Sequence, residues 1–439
     1  MHPIFRKFIA DTVKSGDLTI TSWNGEVSHF GDGTGTPVHI RFTSRAAERS
    51  AFLDPTLKIG ECYMDGELVL ENGTIYDFLH TVFSNSGGGV GRSRMWLKVI
   101  DQARRGMALA AKGNDLLRSR ANVEAHYDLS GEMYDLFLDR DKQYSCAYFP
   151  TPETDLEEAQ LAKKRHIAAK MRMDREELTT LDIGCGWGGM GLYLARHCRA
   201  DVTGVTLSTE QHGIANRRAR EEGIADHADF LLKDYRALER TFDRIVSVGM
   251  FEHVGRKNYA EFFDKSAKLL DENGVMLLHT IGQADGPSPT NAFIEKHIFP
   301  GGYIPSLSEI MPHIERAGLV VTDIEMLRLH YAETLKAWRA RFVEHWDEAK
   351  ALYDERFCRM WEFYLAASES AFRWQGLVVF QIQLGHRVDS VPVTRDYIYE
   401  EEARLKTLDS RNESASARVE TEQKQDNKQP TEPMRATGS

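Results

Sequence analysis

The stretch Leu181-Asp182-Ile183-Gly184-Cys185-Gly186-Trp187-Gly188-Gly189 sets three glycines into five residues where a strand should turn into a helix. Glycines there let a ligand touch the backbone, and the helix start behind them offers unpaired N–H groups to an anion. The string satisfies GxGxxG as well as GxGxG, so a dinucleotide is one reading. A dinucleotide site wants a carboxylate about 20 residues on, at the tip of the second strand. That tip reads Val205-Thr206-Leu207-Ser208, with no carboxylate. Asp182, two residues before Gly184, is placed instead to meet an ammonium group. A ligand carrying both carboxylate and ammonium, such as the methionine half of S-adenosylmethionine, suits the loop better than a pyrophosphate. The bland alternative, a glycine turn kept for packing, costs strand and helix stability.

The elements around the loop repeat as strand, turn, helix: Thr180 to Ile183, a helix through Leu192 and Leu194, Asp201 to Leu207, a polar helix at Gln211 to Glu222, then strands at Phe230 to Leu232, Arg244 to Val248 and Val275 to His279. This alternation predicts an α/β, doubly wound, Rossmann-like parallel sheet. A length of 439 residues allows two or three domains at roughly 150 residues each. Residues 1–90 read as a small N-terminal α+β domain and 91–120 as a basic helical connector with eight Lys or Arg against two Asp. The catalytic domain spans 121–400, with a helical, aromatic insertion at about 283–373. Residues 408–439, without an aromatic, read as a disordered tail.

Hydrophobic residues at 42% and charged residues at 28% exclude a wholly disordered or collagenous chain. A net charge of -11 argues against a nucleic-acid binder. No run reaches the roughly 18–20 apolar residues that span a bilayer, and the first residues show no apolar signal region. Five cysteines without CxxC spacing fit a reducing, cytoplasmic setting. Glu252-His253 lacks the ligand spacing of a metal site, so no metal is expected.

Further motifs run along the chain: Asn122-Val-Glu-Ala-His-Tyr-Asp-Leu129, Gln143-Tyr-Ser-Cys-Ala-Tyr148, Val205-Thr-Leu-Ser208 with Gln211, Asp234-Tyr235, Val248-Gly-Met-Phe-Glu-His-Val-Gly255, His279-Thr-Ile-Gly282 and Phe299-Pro-Gly-Gly-Tyr-Ile-Pro305. Together, and in this order, they make the chain resemble the cyclopropane-fatty-acid synthase family, over about residues 120 to 400. The resemblance implies transfer of a methylene from S-adenosylmethionine to a cis double bond in a phospholipid acyl chain. It implies cofactor contacts at Tyr144, Ser145, the loop with Asp182, Gly184, Gly186 and Gly188, Thr206, Leu207, Gln211, Asp234 and Tyr235. It also implies a bound bicarbonate as base, held by Glu252, His279, Tyr331 and the main chain at Cys146 and Ile281. Relatives often carry cysteine where Ser368 stands, so a thiol nucleophile is not expected.

Such chemistry leaves a carbocation on the chain, which needs a dry pocket with apolar walls and ring faces. Tyr148, Phe149, Tyr303, Trp338 and Phe342 are candidates. Tyr331, Leu335, Trp338 and Phe342 share one helix face, which also fits plain core. A protein carboxylate beside the cation could be alkylated; a small oxyanion base avoids that dead end, with Glu252 accepting its proton while His279, Tyr331 and backbone N–H groups donate. Glu252 as a helix cap and His279 as a strand-end residue are the bland readings. With no spanning segment, membrane contact would be peripheral, through the basic connector, or that helix is merely solvated. The role of the N-terminal unit, lipid docking or homodimerisation, stays open. The alternatives are a related fatty-acyl methyltransferase giving a methyl-branched or methylene product, a small-molecule methyltransferase, and a lipid-binding protein with a dead site.

Overall fold

The computed structural model describes residues 1–85 and 131–410. The motif Asn122–Leu129, the basic connector and most of the expected tail lie outside these residues.

The first unit is a four-stranded sheet, β1 (Asp17–Thr21), β2 (Val27–Gly31), β3 (Pro37–Phe42) and β4 (Leu68–Asn72), in the order β2-β1-β3-β4. Period-2 alternation turns Leu18, Ile20, Val38, Ile40 and Phe42 to one buried face. Helices Pro3–Thr12, Arg45–Leu53, Pro55–Met64 and Ile75–Asn85 complete this α+β unit.

The larger unit is built on seven strands, β5 (Thr179–Ile183), β6 (Asp201–Thr206), β7 (Ala228–Leu232), β8 (Phe242–Val248), β9 (Leu270–Gln283), β10 (Val320–Leu327) and β11 (Leu377–Gly385), in the order β10-β11-β9-β8-β5-β6-β7. Strands β5 to β9 run parallel, linked by crossover helices such as Gly189–Cys198, Thr209–Glu221 and Tyr259–Leu269. Two expectations need correction. The sheet is mixed, because β11 enters antiparallel between β9 and β10. The segment 283–373 is not all helix, because Val320–Leu327 pairs with β11 as an edge strand. The remaining helices of that segment are Ala292–His297, Leu307–Arg316, His330–Glu344, Trp346–Leu352 and Glu355–Trp374. Chain order reverses across β5, which lies between β6 and β8, so the glycine loop opens on the crevice where α/β sheets bind ligands.

Helix Glu355–Trp374 packs on Pro55–Met64 and Ile75–Asn85 of the first unit. A Cβ at Gly60 would lie 2.4 Å from the Phe293 ring and 2.7 Å from that of Phe363, so only glycine permits this approach. Polar contacts reinforce it: Tyr63 donates to Glu362 at 2.6 Å, and buried Glu61 accepts from Lys296 at 2.5 Å.

The last helix among the described residues covers 396–410, which corrects the start of the expected tail. Its Asp409 is buried and meets Arg165 at 2.9 Å and His197 at 3.0 Å. A buried guanidinium needs such a counter-charge, and that holds the helix down to residue 410.

Candidate active site

Glycine conformation shapes the loop. Gly184, Gly186 and Gly188 have φ of 81, 55 and 86°, where other residues are strained. The N–H groups of Gly184 and Cys185 both donate to the Val205 carbonyl at 3.0 Å, tying the loop to β6. Beside it lies a cavity of about 170 Å³. Tyr144, Ser145, Asp182, Gly184, Gly186, Thr206, Leu207, Gln211, Asp234 and Tyr235 all line it. Gly188 does not; it begins the helix Gly189–Cys198 and packs toward Ala215 and Phe230. Lys233, Met250 and Asn258 also line the cavity and were not expected, though Lys233 adjoins the Asp234-Tyr235 motif.

The polar groups divide into engaged and waiting ones. Thr206 Oγ1 donates to Gln211 Oε1 at 2.8 Å, and both oxygens of Asp234 accept from Arg236 at 2.9 Å. Asp182 Oδ2, by contrast, is buried and has no hydrogen-bond partner among the described residues. Burial pushes the Asp182 carboxyl up to about 7. A cation arriving there would restore the carboxylate. This chemistry fits the ammonium of S-adenosylmethionine.

A second cavity, about 460 Å³, is long and largely apolar. One wall comes from the larger unit: Phe293, Phe299, Tyr303, Tyr331, Leu335, Phe363, Tyr364, Ala367, Ser368, Ala371 and Phe372. The other comes from the first unit, including Phe5, Phe8, Ile9, Phe42, Phe52, Phe78 and Phe83. The two cavities share Tyr144, Ser145, Gly249 and His253, so they meet at the end of β8.

Glu252, His279, Cys146, Ile281 and Tyr331 all border the second cavity. Glu252 sits in the short 3-10 turn Phe251–His253, and its Oε1 accepts the Ile281 N–H at 2.6 Å. Its Oε2 is buried without a partner among the described residues. Burial raises this carboxyl to about 7. His279 is 2% exposed, and burial holds its ring well below the ordinary histidine range, hence neutral. Burial pushes the Cys146 thiol up, so it offers a main chain rather than a thiolate. His253 is kept neutral by burial at about 4. Among the described residues no group of three or more His, Cys, Asp or Glu is placed for a metal ion.

The aromatic expectations divide. Tyr303 and Tyr331 line the cavity, whereas Trp338 and Phe342 are fully buried in the core. Helix His330–Glu344 meets the cavity only through Tyr331 and Leu335, near its start. Tyr148 is stacked between His166 and His330, with centroids 4.3 and 4.8 Å away, and Phe149 lies against His330. Neither lines either of these two cavities. The ring faces come instead from Phe299, Phe363, Tyr364 and Phe372. The Ile281 N–H donates to Glu252 at 2.6 Å, and the residue borders the cavity beside it.

Residues 114–382 match the model of the mycolic acid cyclopropane synthetase family. The chain belongs to that family. Residues 4–93 match a domain of unknown function. The chain is 41% identical over 265 residues to the cyclopropane-fatty-acyl-phospholipid synthase of Escherichia coli, covering 60% of this chain and 68% of that one. It is 35% identical over 336 residues to a tuberculostearic acid methyltransferase of Mycobacterium tuberculosis, covering 73% and 77%. Among solved structures, a cyclopropane synthase from Mycobacterium tuberculosis aligns with TM-score 0.58 at 34% identity, covering 60% of this chain and 97% of its own. A mycolic acid cyclopropane synthase complexed with SAH and CTAB gives the same figures.

Membership in the mycolic acid cyclopropane synthetase family spans the glycine loop, Glu252, His279 and Tyr331. The match ends at residue 382, before the helix over 396–410, whose contacts with Arg165 were not legible in any family motif. No helix among the described residues is long and apolar enough to cross a membrane.

Proposed function

We propose that this chain is a cyclopropane-fatty-acyl-phospholipid synthase, which carries a methylene from S-adenosylmethionine to a cis double bond of a phospholipid acyl chain. The observation that carries this reading is the meeting of the two cavities at Tyr144, Ser145, Gly249 and His253, with Glu252 and His279 beside the junction. The donor contributes an electrophilic sulfonium methyl. The glycine loop, Asp182, Thr206, Leu207, Gln211, Asp234 and Tyr235 would hold it, with Tyr144 and Ser145 at the boundary. The acyl chain would lie in the apolar cavity, its double bond held near the junction, where positioning supplies much of the rate. As the new C–C bond forms and the C–S bond breaks, positive charge develops on the chain. Tyr303, Phe299 and Tyr364 line the walls there, and ring faces favour such charge by on the order of 2 kcal/mol when dry.

Closing the ring requires one proton to leave the delivered methyl. A bicarbonate would supply the base, and the site fits one: Glu252 Oε2 is buried and unsatisfied, ready to accept the anion's hydroxyl proton. His279, the Tyr331 hydroxyl and the Cys146 main chain would donate to it, while the Ile281 N–H orients Glu252. Membrane contact would be peripheral, because the acyl chain must be taken from a lipid surface.

The test supplies purified protein with S-adenosylmethionine and vesicles of cis-unsaturated phospholipid. A 14 Da gain that survives catalytic hydrogenation supports the reading. A methyl-branched or methylene product, or no release of adenosylhomocysteine, overturns it. For the donor pocket, Asp182→Asn is expected to weaken adenosylhomocysteine binding about 10–100-fold in calorimetry, as loss of a charge-assisted hydrogen bond of about 1.5–3 kcal/mol predicts. Unchanged affinity would remove Asp182 from the site.

A further inference from the structure

His279 does not stand alone at the cavity wall. Its Nδ1 lies 3.1 Å from Gln381 Nε2, and Gln381 Oε1 accepts from Lys170 Nζ at 2.8 Å. Lys170 is paired with Glu325, and His166 lies between Glu325 at 2.7 Å and Glu402 at 2.6 Å. Gln381, Lys170 and His166 are buried at 0, 2 and 2% exposure. A connected polar chain thus runs from the helix over 396–410, through the core, to the imidazole.

The chemistry of these partners settles the direction of each bond. An ammonium has three donors and no acceptor, so the amide atom facing Lys170 is oxygen. The atom facing His279 is then the amide nitrogen, which only donates. Nδ1 must therefore accept. A neutral imidazole carries one proton, and it is left on Nε2.

We propose that Gln381 is a positioning residue which, oriented by Lys170, commits the His279 proton to Nε2 and so makes that nitrogen the donor toward the cavity. This rests on the proposed function in that the donor is directed at the substrate-side anion. Gln381 touches neither lipid nor donor in this scheme; it acts through His279. Burial lowers the Lys170 pKa, and the Glu325 carboxylate opposes that and favours the ammonium, while His166 and Glu402 hold Glu325 in place.

The test is the tautomer of His279, read by long-range proton–nitrogen correlation on resting protein with labelled histidine, the signal assigned by its loss in His279→Asn. The parent is expected to show protonated Nε2 and bare Nδ1. Gln381→Leu should lose that uniform state and lower kcat about 100-fold, with KM and adenosylhomocysteine affinity little changed. Gln381→Glu, which accepts where Gln donates, should move the proton to Nδ1. Lys170→Met, which frees the amide to rotate, should shift the tautomer the same way as Gln381→Leu and decides the matter if that variant does not fold. A parent with protonated Nδ1, or a folded Gln381→Leu with tautomer and turnover unchanged, overturns the proposal. Failure of the proposed function would show separately, as a parent that makes no cyclopropane.

Discussion

Glu252→Gln is expected to lower turnover by at least about 1,000-fold, in the range of losing a general base, while leaving a protein that is more stable than its parent above neutral pH. Both effects come from one carboxyl. It is buried against the Ile281 N–H with its second oxygen unsatisfied, and burial raises it from 4.5 to about 7. Work as a proton acceptor requires the charged form, so parent kcat/KM should rise with pH through a midpoint near 7, set by this group. The stability sign is opposite. A group whose pKa is raised on folding contributes fully below its unfolded pKa, and that contribution is lost as pH climbs through the folded value. Between about pH 4.5 and 7 the folded parent loses ground, by about 3 kcal/mol in total at about 1.4 per pKa unit. Glutamine keeps an acceptor for Ile281 and cannot ionise. Thermal unfolding of the variant should match the parent near pH 4.5 and exceed it at pH 8. A variant that is active, or one destabilised at pH 8, would show that Glu252 is not the proton acceptor.

Ala367→Trp should have the next largest effect, a fall of about 100-fold in turnover on long-chain lipid, with adenosylhomocysteine binding unchanged. Ala367 and Ala371 stand four residues apart on helix Glu355–Trp374 and both face the apolar cavity. An indole at 367 would occupy the space that the chain needs, opposite the wall made by the first unit. The donor pocket is lined by other residues and should be untouched. Overpacking costs about 1–3 kcal/mol, so the unfolding midpoint is measured alongside. Parent-like turnover in the folded variant would mean the acyl chain lies elsewhere.

The parallel core of the larger unit was readable because its strands are apolar runs bounded by turns, and the glycine loop because its backbone demands are severe. Strand β11 carries an equally plain run, Leu377-Val-Val-Phe-Gln-Ile-Gln-Leu-Gly385, but its direction depends on where it inserts, which periodicity does not report. Its two glutamines, two apart and both buried, are the signal for the network behind His279: a strand spends buried amides only where partners await them. The cavity wall of the first unit was not readable for a different reason. Alternation in β1 and β3 says that Leu18 or Ile40 is covered, and it says the same whether the cover is a helix or a substrate. For Trp338 and Phe342 the core alternative is the one the structure shows, since a shared helix face does not tell core from cavity. The polar helix Leu156–Lys170, with Lys163, Arg165, His166 and Lys170 all buried, defeats any hydrophobic pattern, because its partners come from the segment before it, from distant strands and from the helix over 396–410.

The helix over 396–410 bears on where one self-sufficient piece of this protein ends. The match to the family model stops at residue 382, yet Glu402 and Asp409 pair with His166 and Arg165 deep inside the matched portion. The border of the matched segment and the border of the packed unit therefore differ by about one helix, and a chain cut at the former would strip Arg165 and His166 of the carboxylates that face them.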